Sequence, residues 1–259
     1  MISIKGLRVT YHGERRSVEA LRGVSLDVRQ GEVVSVVGES GSGKSTLLFA
    51  LLRLLPYGTS VSGQVFLDDK DVLELSDEEF RKLRWCKIAL VPQGSMNALT
   101  PVMTIGSQIA EPMEVHLDLD KIEAKRIAAS LLEEVELPVH FSSRYPHQLS
   151  GGQRQRAAIA MALACNPNYL LADEPTTALD VIVQAEIVKL LLRLVRERNM
   201  GLLLVTHDLP LASGLSDRIA VMHDGAIVEE GESLELIESP RHRHTKALVT
   251  ALKKLEVES

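Results

Sequence analysis

The apolar residues near the start of the chain follow two different patterns. Val24-Ser25-Leu26-Asp27-Val28 alternates apolar and polar positions, whereas Val33 to Val37 is almost continuously apolar and β-branched. Alternation predicts a half-buried strand of an antiparallel sheet, and a continuous apolar run predicts a central strand covered on both faces. Ile2, Ile4 and Leu7 predict an earlier strand of the first kind.

Further apolar segments extend this pattern along the chain. Short continuous runs predict buried strands at 88–91, 169–173, 202–206 and 219–222. Apolar residues at helical spacing predict helices at 44–55 and 181–198. Strands that alternate with helices indicate an α/β core with a largely parallel sheet, preceded here by an antiparallel β part.

The pattern changes between 95 and 150. No buried-strand run occurs there, and Ile127, Leu131, Leu132 and Val135 mark an amphipathic helix. We therefore predict a single domain over 1–259, in which a helical subdomain (96–158) is inserted between core segments 1–95 and 159–240. Residues 241–259 are predicted to carry a C-terminal helix.

Composition narrows the classes of protein that are possible. The net charge of −6 offers no general basic surface, so no nucleic-acid partner is expected. The richest apolar run, Leu47 to Leu55, contains Arg53 and is shorter than the roughly 18 residues that predict a membrane span. The N-terminus lacks the features of a signal peptide, so any work at a membrane is expected from the cytoplasm through partners. Cys86 and Cys165 have no metal-ligand spacing and are expected to be inert thiols.

A phosphate-binding motif follows the predicted central strand. Gly38 to Thr46 fits G-x-x-x-x-G-K-[ST] and leads into the predicted helix, which is the context that this motif requires. Its glycines let backbone N–H groups approach a triphosphate, Lys44 supplies a positive charge, and Ser45 offers a hydroxyl to Mg²⁺. The residues expected to bind the nucleotide are Gly38, Ser40, Gly41, Gly43, Lys44, Ser45 and Thr46.

Two later motifs narrow the class of protein that the phosphate-binding motif indicates. Leu149-Ser150-Gly151-Gly152-Gln153 is followed by Leu170-Leu171-Ala172-Asp173-Glu174-Pro175. The three motifs in this order resemble the ATP-binding subunit of ABC transporters, and the resemblance extends from Tyr11 to about Gly231. It implies an ATPase with a P-loop NTPase core, a helical subdomain, and ATP and Mg²⁺ as ligands.

The resemblance also implies roles for single residues. Asp173 and Glu174 end a predicted strand, where carboxylates can reach a metal beside a triphosphate. In the family the first acid binds Mg²⁺ and the second polarises the attacking water. Gln93 matches the glutamine that contacts Mg²⁺ or water where the transmembrane partner docks, and His207 matches the histidine that senses the γ-phosphate. Tyr11 matches the aromatic residue that stacks on adenine.

The LSGGQ residues are predicted to start a helix. Ser150 can cap it, and such an N-terminus attracts an anion. The residues alone do not show which subunit holds the phosphate that this helix N-terminus contacts. The resemblance implies the γ-phosphate held by a second subunit, with Ser150, Gly151, Gly152 and Gln153 closing a head-to-tail dimer and Asp180 in the loop that communicates across it.

Residues 91–105 and 172–181 are similar to the peptide and nickel importer branch of the family. We therefore expect a peripheral ATPase subunit at the cytoplasmic face of the membrane that powers import of oligopeptides or dipeptides. Its expected partners are a second ATPase subunit, transmembrane permease subunits and, indirectly, a solute-binding protein. The alternative is a soluble ABC ATPase that acts without a permease, in cofactor assembly or translation. Many members of the branch carry a C-terminal cysteine cluster, but no cysteine follows Cys165 here, so we expect no iron–sulfur centre.

Overall fold

The structure is a computed structural model that describes residues 1–13, 16–94 and 98–258. It contains two units, one formed by Met1–Ser76 with Gly201–Ser259 (the first unit) and one formed by Asp77–Met200 (the second unit). The strands of the described residues are β1 (Ile2–His12), β2 (Ser17–Val28), β3 (Val33–Val37), β4 (Ser60–Leu67), β5 (Lys70–Asp71), β6 (Ile88–Val91), β7 (Tyr169–Asp173), β8 (Gly201–Thr206), β9 (Arg218–His223) and β10 (Ala226–Glu232). The α-helices are α1 (Lys44–Leu51), α2 (Asp77–Arg81), α3 (Ile105–His116), α4 (Lys121–Glu134), α5 (Gly151–Ala162), α6 (Val181–Glu197), α7 (Leu209–Leu215), α8 (Ser233–Glu238) and α9 (Arg243–Glu258).

The first unit holds an antiparallel sheet and a mixed group of strands. The antiparallel sheet has the order β2-β1-β4-β5, and the mixed group has the order β10-β9-β3-β8. Strand β3 is parallel to both β8 and β9, and all five of its residues are buried. These findings confirm the predicted central strand and the antiparallel N-terminal part of the fold.

The second unit combines two parallel strands with helices. Strand β6 pairs in parallel with β7, and the apolar stripe of α6 is buried, as its helical spacing predicts. Ile109 and Met113 of α3 and Leu131 and Leu132 of α4 are buried as well. Asp120 caps α4, since its carboxylate accepts hydrogen bonds from two N–H groups of the first turn. No strand lies between 98 and 150 in the part of the chain that the structure describes, and the boundaries of the helical subdomain stay a prediction.

Helix α1 is shorter than its apolar pattern predicts. The helix ends at Leu51 instead of continuing to Leu55. Leu52 caps the helix, and Arg53 takes the left-handed conformation, with a φ of 51°. The N–H groups of Arg53 and Leu54 donate to the carbonyl oxygens of Ala50 and Phe49, which closes the helix end. The guanidinium of Arg53 also donates a hydrogen bond of 2.6 Å to the carbonyl oxygen of Leu75. The prediction of a helix over 44–55 is therefore wrong in its last turn.

Over the described residues, no helix has both the length and the apolar character that a membrane crossing needs.

Candidate active site

The phosphate loop of the first unit connects β3 to α1, as predicted. Lys44 is the first residue of the helix and is only 6% exposed. Its ammonium group donates hydrogen bonds to the carbonyl oxygens of Gly38 at 2.8 Å and Glu39 at 2.9 Å. These bonds fold the lysine back along its own loop and place a buried positive charge there. Such a charge is a binding group for an anion.

Two glycines of this loop are required by their protein neighbours. A Cβ atom at Gly38 would lie 2.2 Å from the carbonyl oxygen of Met222. Gly43 has a φ of 105°, and a Cβ atom there would lie 2.6 Å from the carbonyl oxygen of Ala20. Gly41 also has a positive φ, of 80°, but open space surrounds it. At Gly41 the need for glycine therefore comes from the backbone conformation and not from a neighbouring atom.

The donors of the loop fit a polyphosphate. Lys44, Ser45 and Thr46 form the first turn of α1, where the positive end of the helix dipole lies. Ser42 is buried, and its Oγ atom has no hydrogen-bond partner in the described residues. Ser40 and Gly41 are exposed on the loop. Together these groups provide the N–H, hydroxyl and ammonium donors that anionic phosphates require.

Two more predicted residues belong to the same unit. The phenol oxygen of Tyr11 on β1 lies 3.1 Å from Oγ1 of Thr46, so the tyrosine contacts the first turn of α1. His207 is exposed and directly follows β8. Because β3 and β8 are parallel and Val37 pairs with Thr206, the phosphate loop and His207 leave the sheet at the same edge.

The second unit brings the predicted carboxylates and Gln93 together. Strand β7 ends at Asp173, which is buried, and Glu174 follows it with a φ of 42°. A non-glycine residue with a positive φ is uncommon and is often found at a functional site. The amide of Gln93 donates a hydrogen bond of 3.1 Å to Oε2 of Glu174. Oε2 also accepts a bond of 2.9 Å from the hydroxyl of Thr177, a residue within the motif of Asp180 to which the sequence analysis gave no role of its own.

The LSGGQ residues start helix α5, as predicted. The hydroxyl of Ser150 accepts from the N–H of Gln153 at 3.3 Å, and the side chain of Gln153 accepts from the N–H of Ser150 at 3.0 Å. This reciprocal pair is a capping box. Ser150 is exposed, so the helix N-terminus is open to an incoming anion.

The glycines of LSGGQ let two helix N-termini approach each other. Asp180 caps α6 by accepting a 3.0 Å bond from the N–H of Val183. A Cβ atom at Gly152 would lie 2.6 Å from Cγ1 of Val183, and one at Gly151 would lie 3.2 Å from Leu179. Val181, in the first turn of α6, remains 80% exposed. The glycines therefore have a packing role that the motif alone does not reveal.

The two cysteines lie close together in the second unit, and both thiols resist ionisation. Burial, together with Cys86 beside it, raises the pKa of Cys165 to about 12. Burial also raises the pKa of Cys86, although a hydrogen bond with Cys165 opposes the shift. Thiols are nucleophilic and ligate metals as thiolates, so these shifts agree with the expected inert role.

A sequence profile of the ABC transporter family matches residues 21–177. The chain therefore belongs to the ABC transporter family.

Curated relatives match almost the whole chain. The glutathione import ATP-binding protein GsiA of Salmonella typhi is 43% identical over 98% of this chain, which spans 42% of that protein's length. A putative peptide import ATP-binding protein of Brucella abortus is 42% identical, again over 98% of this chain and over 78% of its own length. These names agree with the predicted resemblance to the peptide importer branch.

Solved structures support the same fold. An ATP-binding cassette captured as a dimer in a post-hydrolysis state with ADP and Pi has a TM-score of 0.80 and 36% identity. The match covers 90% of this chain and 99% of that one. It confirms the predicted α/β fold of the ABC ATPases.

Proposed function

We propose that this chain is an ATP-hydrolysing subunit that powers the import of oligopeptides or dipeptides through separate transmembrane permease subunits. The observation that carries the ATPase part is the buried ammonium of Lys44, held by two carbonyl oxygens of the phosphate loop. The names of the relatives support import as the process that hydrolysis drives. They favour it over the soluble alternative in cofactor assembly or translation.

The loop residues bind the nucleotide. Lys44 contacts the β- and γ-phosphates, and the N–H groups of the first turn of α1 hold the remaining phosphate oxygens. Tyr11 stacks on the adenine. Ser45, Asp173 and Gln93 are oxygen donors that suit Mg²⁺, which neutralises the charge that develops on the phosphates.

Glu174, Gln93 and His207 act on the attacking water and on the γ-phosphate. Glu174 accepts the proton of the attacking water, as a carboxylate general base does. Gln93, which bonds to Glu174, orients that water and lies in the loop where the permease docks. His207 senses the γ-phosphate, and its exposed position after β8 leaves the imidazole accessible.

Hydrolysis requires two ATPase subunits in this proposal. The open N-terminus of α5, capped by Ser150, meets the γ-phosphate held by a second subunit. The dimeric cassette with ADP and Pi supports this arrangement by its likeness. The chain thus acts as a peripheral protein at the cytoplasmic face of the membrane.

Co-purification tests the import function. The chain is tagged, expressed in its native host and extracted in mild detergent, and we expect multi-span membrane proteins to co-purify with it. In the reconstituted complex with a solute-binding protein, we expect peptides to raise the ATPase rate. A stable, ATP-hydrolysing complex that contains only soluble partners would contradict import and support the soluble alternative.

The role of LSGGQ is tested by Ser150→Arg. We expect ATP binding by the dilute monomer to stay intact and cooperative hydrolysis to be lost, because a bulky cation would fill the exposed helix N-terminus that meets the second subunit. Nucleotide titrations and the dependence of ATPase rate on protein concentration measure the two effects.

The matched control is Asp120→Arg, which removes the N-cap of α4 in the same unit. Loss of an N-cap costs about 1 kcal/mol of stability, so both variants should be destabilised to a similar degree. Only Ser150→Arg should lose cooperativity. If Ser150→Arg weakens ATP binding in the monomer as strongly as it weakens hydrolysis, Ser150 belongs to its own subunit's site.

A further inference from the structure

Two side chains of the second unit donate hydrogen bonds to Oε2 of Glu174. Gln93 donates to Oε2 at 3.1 Å, and Thr177 donates to the same atom at 2.9 Å. A glutamate side chain has several freely rotating bonds, and fixing it costs conformational entropy. Two bonds on Oε2 restrict the plane of the carboxylate and therefore the direction of its other oxygen.

The two donors differ in how firmly they are tied to Glu174. Gln93 lies 81 residues away and belongs to a different segment of the chain. Thr177 lies three residues away, and its own N–H donates to the carbonyl oxygen of Glu174 at 3.1 Å. This bond closes a turn from Glu174 to Thr177, so the hydroxyl moves together with the carboxylate that it contacts.

The backbone on either side of this contact has an uncommon conformation. Glu174 has a φ of 42°, and Ala178, directly after Thr177, has a φ of 66°. Conformations of this kind are strained in non-glycine residues and persist where surrounding contacts maintain them. A threonine hydroxyl in a turn commonly bonds to the backbone. Here it donates to the side chain of the acid instead.

We propose that Thr177 is a positioning residue for Glu174: its hydroxyl holds Oε2 so that the other carboxylate oxygen faces the attacking water. This inference rests on the proposed role of Glu174 as the general base. Gln93 reaches Glu174 from a different segment of the chain, whereas Thr177 belongs to the same hydrogen-bonded turn as the carboxylate. A misplacement of about 1 Å at a reacting group can cost on the order of a hundred-fold in rate, so a second holding bond has a measurable effect.

The test uses Thr177→Val, which keeps the shape of the side chain but removes the donor. At saturating ATP and Mg²⁺, we expect kcat of the full chain with its permease to fall about ten-fold, as for the loss of one bond to a charged group. The KM for ATP should change by less than about two-fold, because no nucleotide contact is removed. Thr177→Ser retains the hydroxyl and should restore kcat to within about three-fold of the parent.

A double variant separates positioning from a general structural role. If Thr177 acts through Glu174, adding Thr177→Val to Glu174→Gln should cause no further loss of rate, since the base is already absent. The control is Thr250→Val, which removes a hydroxyl that donates to the carbonyl oxygen of Lys246 in α9, and it should leave kcat unchanged. Thermal unfolding checks that each variant is folded, and Thr177→Ala replaces the valine variant if that one does not fold.

The outcomes separate this inference from the proposed function. If Glu174→Gln is slow but folded Thr177→Val runs at the parent rate, the positioning role is wrong and the base assignment stands. The positioning role is also wrong if Thr177→Val lowers kcat by the same factor in the parent and in Glu174→Gln. It is wrong as well if Thr177→Ser does not restore kcat. A parent rate in Glu174→Gln rejects the proposed base, and the positioning role with it.

Discussion

Glu174→Gln is expected to slow ATP hydrolysis by roughly two to four orders of magnitude, the range for loss of a general base. The amide retains the size of the acid, and its oxygen can still accept the bonds that Gln93 and Thr177 donate to Oε2. The local geometry should therefore survive while the proton acceptor is lost. Nucleotide binding, which uses the loop of the first unit, should remain.

An ATP-bound dimer of this variant should accumulate, because hydrolysis is the step that opens it. Size-exclusion chromatography with ATP and Mg²⁺ measures the dimer, and a phosphate-release assay measures the rate. Asp173→Asn serves as the metal-site control, and we expect it to weaken metal-dependent binding instead. A variant that stays monomeric yet hydrolyses ATP at the parent rate would assign the base to another residue, with His207 the next candidate. Slow hydrolysis in a monomer would retain the base and indicate a different ATPase subunit as partner.

Local sequence patterns were sufficient to predict the elements that carry the motifs. Strands 33–37 and 169–173 occur at their predicted positions and are buried throughout, because continuous β-branched and apolar runs are stable only where both faces are covered. Ser150 caps α5 as its position before two glycines predicts. The family match and the fold confirm the resemblance from which the remaining roles were taken.

The helix boundary at Leu51 lay beyond what the pattern could predict. Leu52, Leu54 and Leu55 continue the apolar run, so periodicity alone extends the helix. The chain turns at Arg53, whose left-handed conformation lets the N–H groups of Arg53 and Leu54 donate to the carbonyl oxygens of Ala50 and Phe49. The usual sequence signal for such an end is a glycine, and position 53 is an arginine, so the pattern gave no sign of the turn.

The packing around the motifs was also not predictable from local patterns. Gly38 and Gly43 are fixed by the backbones of Met222 and Ala20, which the motif does not contain. The pair of Gln93 and Glu174 forms because β6 and β7 are parallel neighbours and Val91 pairs with Ala172. Thr177 could have been proposed from its place three residues after the acid, where a side chain returns across a turn.

Lys44→Ala should abolish hydrolysis and weaken ATP binding. Lys44 is 6% exposed and its ammonium contacts two loop carbonyls, so its removal takes away both the charge for the phosphates and a support of the loop itself. Hydrogen bonds that involve a charged group contribute about 1.5–3 kcal/mol, and a charge–phosphate contact in a site built around it is among the strongest of them.

Nucleotide titration and steady-state turnover measure the effects of Lys44→Ala, and thermal unfolding without nucleotide reports the loss of the loop contacts. Lys5→Ala is the matched control, since it deletes the same side chain from an exposed site on β1, where the ammonium lies 5.0 Å from the centre of the Phe66 ring. We expect the control to bind and hydrolyse ATP as the parent does. Lys44→Met retains the apolar stem, so a defect shared by both Lys44 variants identifies the charge as the cause. Tight ATP binding with near-normal turnover in Lys44→Ala would reject the assignment of the phosphate loop.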